Sequence, residues 1–157
     1  IYLICQNIRS LHNVGSIFRS ADAFGVEKIY LCGYTGYPPH ADIGKTALGA
    51  EKTVLWEHHK NTWRVLETLK KQGILIVALE LTKHSSPLVQ ISADRHLSVR
   101  MKKYGVAVIL GNEVKGVTRE ILRRANRTVH IPMHGKKESL NVSVAAGIAL
   151  YHLREFC

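Results

Sequence analysis

A single α/β domain, with a mainly parallel sheet and helices on both of its faces, is predicted by three features of the sequence. The chain has 157 residues, the length of one ordinary domain. Its apolar runs are short and continuous rather than alternating, as in ILIVAL at Ile74–Leu79 and GVAVILG at Gly105–Gly111. That is the pattern of strands buried on both faces. Between these runs lie stretches of helical periodicity, which is the arrangement that covers a parallel sheet. A hydrophobic content of 46% supports a real core and excludes a disordered chain. There is no internal repeat, low-complexity tract or linker.

The elements follow in order. Tyr2–Cys5 is a short apolar strand. A helix is predicted from about Asn13 to Phe24, because Val14, Ile17, Phe18 and Ala21 recur at i, i+3, i+4, i+7. Asn13 suits its cap and Gly25 its end. Lys28–Cys32 (KIYLC) is the second strand. The stretch Gly33–Gly44 (GYTGYPPHADIG) is rich in Gly, Pro and Tyr and reads as a long loop. Thr62–Gln72 is a helix with Asn61 as a possible cap, and Ile74–Leu79 is a buried strand. Glu80–His96 is mixed, with a break at Ser85-Ser86-Pro87. Val106–Leu110 is another buried strand. Thr118 opens a short helix to Ala125, Thr128–Ile131 is a strand, and the last helix runs from about Leu140 to Glu155 with Ser139 as a good N-cap.

Composition narrows the function classes. No apolar run approaches the ~20 residues of a membrane span. Ile1–Cys5 is too short for a signal sequence, and the chain starts without Met. Three cysteines, Cys5, Cys32 and Cys157, show no framework or ligand spacing, which predicts a reducing, cytoplasmic setting with Cys5 and Cys32 in the core. His58-His59 is the only close histidine pair, and adjacent side chains point apart, so no metal site is expected. The net charge of +10 fits either a basic surface or a polyanion partner such as nucleic acid.

Ligands of open α/β sheets gather at the carboxyl ends of the strands. Three strand ends here carry unusual residues: Glu80-Leu81-Thr82, then Gly111-Asn112-Glu113-Val114-Lys115-Gly116, then the stretch from Pro132 to Asn141. Gly111 permits a tight turn or close ligand approach, although a plain surface turn has the same composition. Neither GxxxxGK[ST] nor a GxGxxG after a strand is present, which weighs against phosphate-loop and classical dinucleotide sites. The last helix is dense in small residues, which fits tight helix packing, a dimer interface or an adenine site. Arg19 lies beside the apolar stripe of the first helix, about 120° round from Asn13. It is either a solvated cation with its stem over the core or a planar fork for a phosphate.

Three segments in order, NIRSLHNVGSIFRSADAFGVEKIYLCG, LGNEVKGV and IPMHGKKESLNVSVAAGIALYHL, resemble the three motifs of the SpoU (TrmH-like) RNA ribose methyltransferases, members of the SPOUT superfamily. The segment IGKTALGAEKTVLWEH is also similar to the sequence between the first two motifs. The resemblance spans nearly the whole chain. It implies that residues 1–157 are a catalytic domain without a separate RNA-binding domain. It implies a SPOUT fold with a deep C-terminal trefoil knot, S-adenosylmethionine as methyl donor, no metal, a homodimer, and methyl transfer to a ribose 2′-hydroxyl in tRNA or rRNA.

By position, the resemblance places Arg19 on the catalytic arginine, Asn13 on the preceding asparagine, Glu113 on the second-motif glutamate, and Ser139 and Asn141 on the third-motif polar pair. Val114 stands where relatives often have Gly. Donor contacts are implied around Leu79, Glu80, Gly111, Ile131, Met133 and Leu140. Arginine stays protonated, so its expected task is to hold an RNA phosphate and stabilise the developing alkoxide. Glu113 is expected to orient Arg19 or the third motif. Among the basic residues, Arg9, Lys45, Arg119, Arg123, Arg124, Lys136 and Lys137, with Arg19 itself, are candidates for RNA phosphates. Tyr34, Tyr37 and His40 are candidates for base stacking, with packing the alternative for the tyrosines. Other readings are a SPOUT enzyme acting on a base, a non-catalytic RNA-binding paralogue, and a dinucleotide-binding domain.

Overall fold

The computed structural model describes residues 1–157 as one seven-stranded sheet in which every pairing is parallel. The strands are β1 (Tyr2–Gln6), β2 (Lys28–Cys32), β3 (Trp56–His59), β4 (Leu75–Leu79), β5 (Ser86–Pro87), β6 (Val106–Leu110) and β7 (Arg127–His130). Their spatial order is β3-β2-β1-β6-β4-β7-β5. The helices are α1 (Leu11–Ala23), α2 (Ala41–Ala47), α3 (Ala50–Thr53), α4 (Thr62–Lys71), α5 (Val89–Ala93), α6 (Arg95–Tyr104), α7 (Arg119–Arg124) and α8 (Val142–Arg154). None is long and apolar enough to cross a membrane.

The period-2 geometry of a strand sends successive side chains to opposite faces, and the central strands supply both cores this way. Leu3 and Cys5 of β1, Leu75 and Val77 of β4, and Val106, Val108 and Leu110 of β6 join the larger core under α1, α2 and α8. Ile4, Ile76, Ala78, Ala107 and Ile109 join the smaller core under α4 and α7. This accounts for the continuous apolar runs: each residue is buried on one face or the other. The predicted stripe of α1 is buried, together with Gly15. Cys5 and Cys32 are buried free thiols, as expected of small core residues.

Several boundaries differ from the sequence expectation. Ser10, not Asn13, caps α1: its hydroxyl accepts from the Asn13 backbone N–H at 3.3 Å. Asn141, not Ser139, caps α8 by accepting from the Ser143 N–H at 2.9 Å. The long loop after β2 is shorter than predicted, because α2 begins at Ala41 with the His40 ring accepting from the Asp42 N–H. Asn61 and Thr118 hold the cap positions of α4 and α7 but make no side-chain cap bond there. Strand β3 and helices α3, α5 and α6 occupy stretches the sequence pattern did not assign.

Candidate active site

The loops after β4, β6 and β7 meet at the carboxyl end of the sheet and enclose a cleft of about 420 Å³. This lies in the size range of small-molecule sites, ~300–1,000 Å³. Strand order explains the meeting. β4 pairs with β6 on one side and β7 on the other, so their three carboxyl ends are neighbours. All six residues implied as donor contacts, Leu79, Glu80, Gly111, Ile131, Met133 and Leu140, line this one cleft. Glu113, Ser139 and Asn141 line it as well.

The second loop is built to hold a tight backbone path. Asn112 is buried, and its carboxamide oxygen accepts from the Val114 and Lys115 N–H groups at 2.9 and 2.8 Å. Asn112 and Gly116 exchange backbone hydrogen bonds, closing the turn. Gly116 takes φ +65°, and a Cβ there would strike the Glu80 carboxylate. A Cβ on Gly111 would strike the backbone of Gly116 and Val117. Glycine at both positions is therefore a steric requirement of this loop. Glu80 fastens it to β4, because its Oε2 accepts from the Val117 N–H at 2.8 Å.

Glu113 fastens the same loop to α1. Its Oε2 accepts from the Arg9 N–H at 2.9 Å, and its Oε1 from the Ser10 N–H and the Asn13 side-chain amide, each at 3.0 Å. A carboxylate here meets orphan N–H groups at the positive end of the α1 dipole. Partial burial pushes the Glu113 carboxyl up, but the hydrogen bonds from Arg9, Ser10, its own N–H and Asn13 outweigh burial and hold its pKa below the usual value. Asn13 then reaches the third loop, its oxygen accepting from the Asn141 amide at 3.1 Å. Asn141 accepts in turn from the Ser143 N–H and hydroxyl. Glu113, Asn13, Asn141 and Ser143 thus form a continuous polar chain across all three sequence motifs.

Arg19 stands apart from this chain. It lies exposed two turns further along α1, in a shallow groove with Lys45, Ser16, Ser20, Phe24 and Thr46, and does not line the cleft. Glu113 therefore orients the α1 N-terminus and the third motif, not Arg19. Ser139 is exposed at the cleft wall and caps nothing. Of the other basic candidates, Arg9, Arg119, Arg123, Lys136 and Lys137 are exposed, Lys45 pairs with Asp42 at 2.7 Å, and Arg124 is engaged by Glu120, Glu67 and the Trp63 ring. Asn112, the Glu80 side chain and Ser143 act here without having been singled out from sequence. Their signal is weak, because Asn in a Gly-rich turn and Ser near a helix start are ordinary turn chemistry.

The chain resembles known proteins along almost its whole length. The SpoU rRNA Methylase family matches residues 1–151. A tRNA (guanosine(18)-2′-O)-methyltransferase of Aquifex aeolicus is 33% identical over 96% of this chain and 67% of its own length. The 23S rRNA (guanosine-2′-O-)-methyltransferase RlmB of Coxiella burnetii is 31% identical over 98% of this chain, which spans only 58% of that protein. Among solved structures, an AdoMet-bound rRNA methyltransferase of Sinorhizobium meliloti superposes with a TM-score of 0.87 at 28% identity, covering 98% of this chain and 55% of that one. Three ordered motifs joined by one polar chain, two of them walling the cleft, and a family match across nearly the full length give one conclusion: this chain belongs to the SpoU rRNA methylase family.

Proposed function

We propose that this chain transfers a methyl group from S-adenosylmethionine to a ribose 2′-hydroxyl of tRNA or rRNA. The observation that carries the reading is the cleft itself, in which all six residues expected to contact the donor share one wall system with the polar pair of the third motif. The residues fit such a donor. The cleft is of suitable size, Gly111 and Gly116 line it, and the lining carboxylates Glu80 and Glu113 suit a donor of net positive charge. The names of the relatives, tRNA and rRNA 2′-O-methyltransferases, support ribose as the acceptor.

S-adenosylmethionine, when bound, supplies an already activated methyl group, so the task left to the protein is the nucleophile. A donor held by the cleft residues would supply the methyl group, its sulfur keeping the bonding electrons, and the ribose hydroxyl proton would pass to solvent water. The polar chain from Glu113 through Asn13 to Asn141 fixes the third loop, and with it Ser139, against the cleft. Arg19 holds the RNA phosphate and stabilises charge developing on the ribose oxygen.

We further infer that the active unit is a homodimer in which Arg19 serves the partner's cleft. The support is geometric. Arg19 lies outside its own cleft, and Val144, Ile148 and Tyr151 leave an exposed apolar stripe along α8 beside α1. The resemblance further implies that the segment after β7 is threaded as a trefoil knot. Pulling the chain from its two ends should then reach a shorter final extension than its residue count allows; full extension would refute the knot.

The test of function is incubation with methyl-labelled donor and total tRNA or rRNA, followed by digestion and nucleoside mass analysis. Label in 2′-O-methylnucleosides is expected. Label on a base would assign a different chemistry, and no donor binding by calorimetry would leave an RNA-binding protein without catalysis.

A further inference from the structure

Tyr34 is held at both ends and open on its face. Its backbone N–H donates to the Asn7 side-chain oxygen at 3.2 Å, and its hydroxyl accepts from the Asn112 amide at 3.0 Å. The same amide donates to the Asn7 carbonyl at 2.9 Å, so Asn7, Tyr34 and Asn112 form one locked unit. Yet Tyr34 remains 60% exposed. A tyrosine buried for packing hides its ring, and an unconstrained surface tyrosine has no fixed partner at its hydroxyl. Here the ring is immobilised without being covered.

The surroundings are consistent in charge and shape. Arg9 and Lys115 are exposed, and their backbones lie beside this unit: Arg9 N–H bonds Glu113, and Lys115 N–H bonds Asn112. Tyr37, three residues on in the same loop, is also exposed and backs onto the His58 ring at 4.5 Å between centroids. The nearby carboxylate of Glu113 is occupied by N–H donors. A rigid aromatic face among cations is the chemistry that stacks unpaired nucleobases and tracks their phosphates.

We propose that Tyr34, with Tyr37 three residues on in the same loop, is a stacking platform for an unpaired RNA base flanking the nucleotide presented to the cleft. This rests on the RNA methyltransferase reading above. Asn112 makes the link specific, because it grips the Tyr34 hydroxyl and itself lines the cleft. A base seated on Tyr34 is thereby set in register with the donor, and an acceptor in an unpaired loop is favoured over one in a duplex.

The test uses the wild-type chain and a short single-stranded oligouridylate carrying 5-iodouridine. Photocrosslinking should label the peptide containing Tyr34. Y34L should weaken binding of the oligonucleotide about ten-fold, while Y34F, which keeps the ring and loses the hydroxyl, should bind nearly as wild type. Both variants should bind S-adenosylmethionine equally well. Crosslinks confined to other peptides, or Y34L binding as tightly as Y34F, would overturn the platform while leaving methyl transfer to stand. Failure of the wild-type chain to bind RNA at all would overturn both readings.

Discussion

The side-chain amide of Asn13 donates to the Glu113 carboxylate at 3.0 Å, across a sequence separation of 100 residues. This contact joins the start of α1 to the loop after β6, and through Asn141 to the start of α8. Three segments that are remote in sequence are held as one unit by side chains with no cation among them.

The lowered pKa of Glu113 sets a pH signature. A carboxyl whose folded value is depressed contributes stability that is complete above its unfolded value, about 4.3, and is lost as pH falls through the folded value. Glu113→Gln should therefore melt lower than wild type at neutral pH, by about 2–4 °C for each kcal/mol lost. The gap should begin to close below about pH 4.3 and vanish below the folded value. Thermal melts across that range check this; a constant gap would show that the carboxylate charge plays no part.

Cap assignment separates two neighbouring polar residues. Asn141→Ala removes the α8 cap and the bridge to Asn13, and should cost about 1 kcal/mol or more. Ser139→Ala should stay within about 0.5 kcal/mol of wild type, because its side chain is exposed and caps nothing. Combined with Asn13→Ala, Asn141→Ala should show a coupling of about 0.5–1 kcal/mol in denaturant titrations.

Gly111→Ala tests the tight loop. Its methyl would meet the backbone of Gly116 and Val117, and backbone cannot rotate aside as a side chain can. A loss of about 1–3 kcal/mol is expected, with weakened S-adenosylmethionine binding by calorimetry. Unchanged donor affinity would place the donor elsewhere.

Arg19→Ala should leave melting and donor affinity unaltered and lower turnover by about 10²–10³-fold, since the residue is exposed and outside its own cleft. Co-expressed with Gly111→Ala chains, it should regain part of the lost activity, because a mixed dimer pairs an intact cleft with an intact arginine. No recovery would mean that Arg19 serves its own subunit.

Much of the fold was legible because burial on both faces leaves a simple mark. β2 and β6 were read from sequence to the residue, and β1 and β4 to within one. β3 was not, because WEHH at the sheet edge is half-exposed and carries no apolar run. α6 (RHLSVRMKKY) is so charged that only Met101 is fully buried, which hides its periodicity. The site was legible as three strand ends, since Gly111, Glu113 and Asn141 lie in unusual turn sequences. The roles within it were not. Ser139-Leu140-Asn141 offers two good caps, and only the path of the backbone selects Asn141. Nor does periodicity separate Asn13, which bridges two loops, from Arg19, which lines a separate groove.

The position of β6 also governs how the chain comes together. β6 alone joins β1 to β4 in the sheet order, and all five of its residues are buried. Until residues 106–110 have been synthesised, β3-β2-β1 and β4 are separate pieces with bare parallel edges. A ribosome-bound chain ending before Val106 therefore has no continuous sheet and presents the free edge of β1 and an unpaired β4 to any neighbour. The last third of the sequence, which walls most of the cleft, also holds the strand that makes the first two-thirds a single body.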